Sequence, residues 1–320
     1  MTMMNRSIVT EFILLGFTDL VSIQVILFYT FLVIYVLTLT GNVAIIATTS
    51  FSLELHSPMY FFLTNLSLLE IFYISVTVPK MLLNILLNTN SISFVACVVQ
   101  TYLFIALGSI ECSLLAVMAY DRYLAVCHPL HYVTVMDRPT RLVLAFSSWI
   151  SGFINSMVHT TCTFHHNFCS SKVINQFFCD IRPLLSLACD DTLSTEIVLT
   201  VVGGGYGVGS FILTLISYIH IISTILKIRS RKGQQKAFST CASHLVVVSL
   251  FYGTSLFAYP RRSSTQTTDQ QKIAPVIYAV VTPTLNPFIY TMRNKEFKTA
   301  LRKMIGRKLP KVTLFTHGHL

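Results

Sequence analysis

Charged residues are what this sequence has least of. Only 11% of its 320 residues are Asp, Glu, Lys or Arg, against about a quarter in an ordinary soluble domain, while 53% are hydrophobic and the mean hydropathy is +0.66. That balance excludes a soluble globule and leaves an integral membrane protein. The opening stretch, MTMMNRSIVTEFILLGFTDL, lacks a basic region followed by a clean apolar core and a small-residue cleavage site. No removable leader is expected, and the first apolar run should serve as its own insertion signal. A second domain, a low-complexity tail and an internal repeat are also missing, and the last of these argues against a channel or transporter. No nucleophile, base and orienting group can be placed together, and paired metal-binding histidines are absent. An enzyme is therefore not expected, and no cofactor is implied.

What is present is length without charge. Seven apolar stretches, roughly 24–49, 58–84, 96–125, 140–161, 197–227, 237–260 and 271–292, each reach or exceed the ~20 residues that a helix needs to cross a bilayer. The predicted fold is an all-α membrane protein, a bundle of seven transmembrane helices. An odd number of crossings puts the termini on opposite sides. The net charge of +10 could suggest a nucleic-acid partner, but its placement argues otherwise: 16 of the 23 Lys and Arg lie in segments that share one side of this topology. That side is cytoplasmic by the positive-inside rule. The expected organisation is an extracellular N-terminus over 1–23, a membrane domain over 24–293 and a cytoplasmic tail over 294–320. Asn5-Arg6-Ser7 is a glycosylation sequon on the outside, whereas Asn65-Leu66-Ser67 lies inside a span. In the tail, Phe297, Leu301 and Ile305 recur every four residues between basic side chains, the pattern of a short amphipathic helix on the inner leaflet.

Several positions inside the spans need explanation. Asn42 puts an amide at mid-depth, where it is expected to bond to a neighbouring helix. The run Gly203-Gly204-Gly205-Tyr206-Gly207-Val208-Gly209 matches a dinucleotide-binding pattern superficially, but no strand precedes it, so close helix packing or backbone facing a cavity is expected. Pro283 and Pro287 should distort the seventh span. Glu70 and Glu111 place two carboxyl groups at similar depth, and both cannot remain ionised and unpaired. Either they share a proton or a cation sits between them, with Asn286 as a third member. On the third span, Phe104, Ile105, Gly108 and Ser109 share a face that Glu111 and Arg122 continue, because seven residues make about two turns and eighteen about five. Asp121 and Arg122 then emerge together at the membrane boundary. Of the eight Cys, Cys97, Cys169, Cys179 and Cys189 fall on the oxidising side; four cysteines allow three pairings, and Cys162, His165, His166 and Cys169 also have plausible spacing for zinc.

Four motifs occur in order: PMYFFLTNLS at 58–67, MAYDRYLAVCHPLHY at 118–132, KAFSTCASH at 236–244 and PTLNPFIYTMRN at 283–294. Together they resemble the odorant receptor branch of the rhodopsin-like G-protein-coupled receptors. The resemblance implies disulfides Cys97–Cys179 and Cys169–Cys189. It implies ligand contacts at Phe104, Ile105, Gly108, Ser109 and Cys112 of the third helix, and at Gly203 and Tyr206 of the fifth. The sixth helix would add Phe251, Tyr252, Ser255, Leu256 and Tyr259, and the seventh Tyr278. Asp121 would restrain Arg122 at rest, with Tyr123, Tyr218, His244, Asn286, Pro287 and Tyr290 as parts of the same switch.

Departures from the wider family are informative. Phe104 stands where amine receptors carry an aspartate, so the implied ligand is a small, largely apolar volatile that Ser109, Ser255 and Tyr259 could orient. Tyr252 replaces a tryptophan, which is itself typical of odorant receptors. Glu70 replaces the usual aspartate ligand of sodium, so a sodium ion at Glu70 and Glu111 stays an open alternative to a shared proton. The implied partners are a volatile odorant, a stimulatory olfactory-type heterotrimeric G protein that raises cAMP, and the bilayer. The implied location is the plasma membrane of sensory cilia. A rhodopsin-like receptor for a non-odorant small molecule is the alternative, and a channel or transporter stands behind it.

Overall fold

In the computed structural model, residues 9–16, 20–169, 172–258, 276–293 and 295–307 are described. Asn5, Tyr259 and the end of the tail lie outside them. The chain runs β1 (Glu11–Leu14), α1 (Val21–Phe51), a short turn of helix at Leu53–Leu55, α2 (Pro58–Leu87), β2 (Ser91–Ser93), α3 (Phe94–Cys127), α4 (Pro129–Val135) and α5 (Arg138–Phe164). It continues through β3 (Val173–Ile174), α6 (Ile181–Leu185), α7 (Leu193–Lys227) and α8 (Arg231–Ala258). A widened helical turn, Ile277–Val281, then leads into α9 (Thr282–Arg293), and α10 (Lys295–Arg307) closes the described chain. Helices α1, α2, α3, α5, α7 and α8 are long and apolar enough to cross a membrane; α9 takes the seventh place, its earlier part lying outside the described residues.

The predicted spans are found at their expected places and extend further at most of the ends described. Proline opens α2, α4 and α5, where its missing N–H costs nothing. Ser93 Oγ accepts the Ala96 N–H at 3.3 Å and Asp137 Oδ1 accepts the Thr140 N–H at 2.9 Å, so two helix starts are capped. Along the helices, threonine hydroxyls are satisfied without leaving the helix: Thr38, Thr48 and Thr49 each donate to the carbonyl four residues earlier at 2.7–2.8 Å. Lipid offers no partner to a free hydroxyl, so this local bond is what lets polar residues remain in the spans. Large apolar side chains such as Ile26, Val143 and Phe146 face outward, the inverse of a soluble surface and the expected arrangement in lipid.

Helix α3 is the axis, packed by α2, α5 and α7, with Ala106, Ile110, Leu114, Leu115 and Ala119 fully buried along it. Two apolar clusters fill the bundle. One joins Tyr73, Ile74, Val78, Phe104, Ile110 and Phe178; the other, nearer Arg122, joins Tyr60, Phe62, Leu66, Leu115, Val247 and Phe297. A close helix approach is made at Gly152 of α5, where an added Cβ would stand 2.4 Å from Ile110 Cγ1 and 2.9 Å from the Ile110 backbone nitrogen. Small residues permit this contact between spans.

The helical bundle is the expected one, and three details add to it or correct it. The first is an addition: a small three-stranded sheet, ordered β2-β1-β3, covers the end of the bundle where α3 begins. Strand β1 pairs antiparallel to β2, with Phe12 opposite Ile92, and parallel to β3, with Leu14 opposite Ile174. The alternation of Glu11-Phe12-Ile13-Leu14 buries Phe12 and Leu14 on one face. The second correction concerns Asn42, whose Nδ2 donates to Thr38 O of its own helix at 3.0 Å rather than across to another. The third concerns α10. Its Phe297 and Ala300 are buried against the bundle rather than turned to a leaflet, and Lys303 meets Glu54 at 3.0 Å.

Replacing Gly152 by Ala forces α5 away from the Ile110 backbone of α3. The expected cost is about 1–3 kcal/mol, read as a lower apparent melting temperature of the purified protein; an unchanged melting curve would show that the two helices do not meet this closely.

Candidate functional site

At the end carrying the sheet, two disulfides hold the long connection in place, Cys97–Cys179 and Cys169–Cys189. The first ties the connection to α3, and hydrogen bonds reinforce it: the Cys179 N–H donates to Gln100 Oε1 at 2.9 Å, and Thr101 Oγ1 donates to the Cys179 carbonyl at 3.2 Å. The zinc arrangement is not assembled among the described residues. Cys169 is committed to Cys189, and His166 bonds Thr195 and lies 3.8 Å from Asp190.

The tether positions aromatic rings below it. Phe178, next to the bridged Cys179, lies 4.7 Å from Phe104 between ring centroids, and Phe104 stacks on Tyr73 of α2 at 5.1 Å with a 17° tilt. Ile105 packs at the edge of the same cluster, and a Cβ at Gly108 would meet the Tyr73 hydroxyl at 3.5 Å. One turn further along α3, Cys112 Sγ lies 3.4 Å from the Tyr252 hydroxyl of α8. Tyr252 also meets Phe211 of α7 edge-on at 4.9 Å, and Phe251 edge-on at 5.2 Å.

Other positions expected to line this space are turned elsewhere. Ser109 accepts a bond from Asn155 Nδ2 of α5 at 2.8 Å. Gly203 faces α5 as well, where an added Cβ would be 2.6 Å from His159 Nε2. The Tyr206 hydroxyl bridges Ser113 of α3 at 2.5 Å and Ser151 of α5 at 2.8 Å. Ser255 donates to the Phe251 carbonyl of its own helix at 2.7 Å, and Leu256 is exposed. Tyr278 belongs to the widened turn of helix, and its side chain lies outside the described part. Of the glycine run, only Gly203 makes the close helix contact; Gly204, Gly205, Gly207 and Gly209 have open space around them.

Below the aromatic layer, Asn286 Nδ2 of α9 donates to Glu70 Oε1 of α2. Glu111 of α3 is an electrostatic neighbour of Glu70 and lies within reach of the same amide. All three are buried. Glu70 Oε2, Glu111 Oε1 and Asn286 Oδ1 have no hydrogen-bond donor among the described residues. Two carboxyl groups and an amide oxygen together suit a proton or a small hard cation. The next residue, Pro287, packs on α1, where Gly41 leaves room: a Cβ there would be 3.1 Å from Pro287 Cβ.

At the opposite end of α3, Arg122 Nη2 lies 3.6 Å from Asp121 Oδ2, both side chains being buried. The Tyr132 hydroxyl of α4 donates to Asp121 Oδ1 at 2.9 Å. Burial, with the neighbouring Asp121 carboxylate, pushes the Tyr132 phenol well above its usual range, so it stays a donor at any physiological pH. On the other side, the Tyr218 hydroxyl of α7 bonds His244 Nδ1 of α8 at 2.7 Å with the two rings stacked. Tyr290 is buried among these residues, and its hydroxyl has no hydrogen-bond partner among those described. Tyr123 instead bonds His128 Nε2 at 2.9 Å and leans on His220.

A family model described as olfactory receptor matches residues 31–308. The chain belongs to the olfactory receptor family. It is 48% identical to olfactory receptor 1G1 of Gorilla gorilla gorilla over 94% of this chain and 96% of that protein, and 48% identical to olfactory receptor 5B12 of Homo sapiens over 95% and 97%. A mouse relative, olfactory receptor 5AR1 of Mus musculus, is 44% identical over 95% of this chain and 98% of its own. The protein is thus a seven-helix G-protein-coupled receptor of the olfactory class and not an enzyme.

In this olfactory receptor, sequence reasoning passed over Tyr73, Phe178 and Phe211, although the Phe177-Phe178 pair beside a bridged cysteine was a usable signal. Tyr73 and Phe211 carried none, because an aromatic residue in an apolar span is ordinary. Asn155 and His159 were equally silent until α5 was seen against α3 and α7.

Tyr206 is expected to act as a pin between three helices. Tyr206→Phe should lower stability by about 1–2 kcal/mol, and a double-mutant cycle with Ser151→Ala should show coupling between the two sites. Additive effects on the apparent melting temperature would refute the bridge.

Proposed function

We propose that this olfactory receptor takes small, largely apolar volatile ligands in the half of the bundle nearest the disulfides, and that it activates a stimulatory olfactory-type G protein at the Arg122 end, raising cAMP. The N-terminus then lies outside the cell, the tail inside, and the working membrane is that of a sensory cilium. The observation that carries this reading is the aromatic layer of Tyr73, Phe104 and Phe178 beneath a disulfide-tethered connection. Phe104, where an amine receptor offers a carboxylate, makes an apolar wall. A ligand held there gains from burial and shape, and one methylene changes its binding by only about 1–3 kcal/mol. Broad tuning follows.

The mechanism is a shift of populations. A ligand that packs better when α3, α7 and α8 rearrange favours a state in which the Arg122 ends of α7 and α8 separate and admit a G-protein helix. Asp121 restrains Arg122 in the resting state, and Tyr132 holds Asp121. The Tyr218–His244 bond closes α7 on α8 and must break or move as they part. Glu70, Glu111 and Asn286 hold a shared proton or a sodium ion midway between the two ends, so ligand at one end and G protein at the other act on the same charged layer.

A panel of volatiles applied to cells expressing the receptor should raise cAMP for a subset of compounds, and Arg122→Ala should abolish the response at equal surface expression. A ligand-gated current without cAMP would overturn the assignment. Tyr132→Phe frees one oxygen of the Asp121 carboxylate and is expected to raise ligand-independent cAMP several-fold. Glu111→Gln should alter the dependence of activation on sodium or pH; identical profiles would remove this layer from the mechanism.

A further inference from the structure

One imidazole touches both ends of the region where the long connection leaves α5 and rejoins α7. His166 follows the last turn of α5. Its Nε2 lies 2.8 Å from Thr195 Oγ1 in the first turn of α7, and its Nδ1 lies 3.8 Å from Asp190 Oδ2 of the connection. The His166 side chain is 9% exposed and that of Asp190 47%, so the enclosed member of the pair faces a carboxylate that water still reaches.

Asp190 is fixed in this position. Its Oδ2 accepts the Asn167 N–H at 3.0 Å and Asn167 Nδ2 at 3.2 Å, and the Cys189 N–H donates to the Asn167 carbonyl at 2.9 Å. The Cys169–Cys189 disulfide closes the same turn. The bond from the Asn167 N–H, with the Asn167 amide and the imidazole beside it, holds the Asp190 carboxyl below the usual carboxylate range. Asp190 is therefore ionised wherever an imidazole titrates.

That leaves His166 as the member whose charge changes. A neutral imidazole has a single N–H, so it donates to one partner and offers a lone pair to the other. An imidazolium donates on both sides and meets the carboxylate as an ion pair. The other ionisable groups of these segments are engaged elsewhere or face water. Glu196 accepts the Thr192 hydroxyl at 3.1 Å, Asp191 accepts the Leu193 N–H at 3.0 Å, and Asp180 has Arg182 as its electrostatic neighbour. His165 and Lys172 are exposed, and Cys162 is a half-buried free thiol.

We propose that His166, Asp190 and Thr195 form a proton-operated clasp that fastens the disulfide-bound connection to the start of α7 when the medium around it turns acidic. A proton taken up by His166 adds the ion pair to the existing bond with Thr195. The clasp is thus tightened as the pH falls and loses that contribution as the imidazole gives up its proton. It holds one end of α7, whose far end carries the Tyr218 contact to α8. On the topology proposed above the medium is the one outside the cell, but the clasp itself does not depend on that orientation.

The test is a double-mutant cycle on the purified full-length receptor, with His166→Gln and Asp190→Asn followed by apparent melting temperature at about pH 5.5 and about pH 7.5. Glutamine keeps a hydrogen-bonding group without titrating, and asparagine keeps an acceptor for Asn167 without charge. At the lower pH the double variant should lose about 2 °C less than the two single losses added, since the pair is half-exposed and its contribution modest. At the higher pH this coupling should vanish, and salt at about 1 M should shrink it at the lower pH. The chain holds ten His, so the coupling, rather than the overall pH profile, is what identifies the clasp. Equal coupling at both pH values would overturn the proposal, because the contact would then be insensitive to protons; so would its absence at the lower pH. Asp190→Asn decides the matter alone should His166→Gln fail to fold: its deficit against the parent should grow by about 2 °C on acidification, and a constant deficit would refute the clasp. No odorant or G protein enters the measurement, so the outcome is independent of the signalling reading.

Discussion

A charge or polar group surrounded by lipid must find its partner inside the protein, and this single requirement organises the bundle. Helix α3 carries the heaviest load, with Glu111 buried midway along it and Asp121 and Arg122 buried near its end. None of these can be left alone in a medium of low dielectric. Neighbouring helices are therefore drawn to α3 at fixed heights. At the level of Glu111, α2 and α9 bring Glu70 and Asn286; at Asp121, α4 brings Tyr132. On either side of Glu111, Ser109 and Ser113 take partners from α5 and α7. The polar contacts form a ladder along one helix, and apolar packing fills the space between its rungs.

The same economy separates two kinds of polar residue. Hydroxyls such as those of Thr40, Thr48 and Ser50 bond to their own backbone four residues earlier, which links no other helix. Asn155, Tyr206 and Tyr218 instead reach across to another helix. Interhelical bonds of this second kind couple motions, because one helix cannot shift without breaking or carrying the bond. That distinction makes the Tyr218–His244 pair a reasonable moving part and the Thr48 hydroxyl an unreasonable one.

The lid at the sheet end works by a different principle. Chain that leaves the bilayer regains water and the option of extended structure, and here it uses both. Three short strands from separate parts of the chain bury Phe12 and Leu14 against Cys97 and Cys179. None is long enough to persist alone. The disulfides and the helix ends bring them together, so the lid is a consequence of the bundle below it. This also explains why its strands escaped notice: four, three and two residues in length, they offer too little alternation to be distinguished from loop.

The seven spans, the burial of Glu70 and Glu111, and the amphipathic α10 could all be read from the sequence alone, whereas Asp121 and Arg122, expected to emerge at the membrane boundary, are buried in the structure. The bilayer demands long uncharged runs and makes every exception conspicuous, so those features are local in origin. The azimuth of each side chain is not. Ser109, Gly203 and Tyr206, ligand contacts implied by the family resemblance, meet Asn155, His159 and Ser151 of α5, the helix that Gly152 lets close on Ile110. Phe297 looked like a membrane anchor and is buried in the protein instead. Which face of a helix meets which neighbour depends on the combined packing of several helices distant in sequence, and only the assembled bundle decides it.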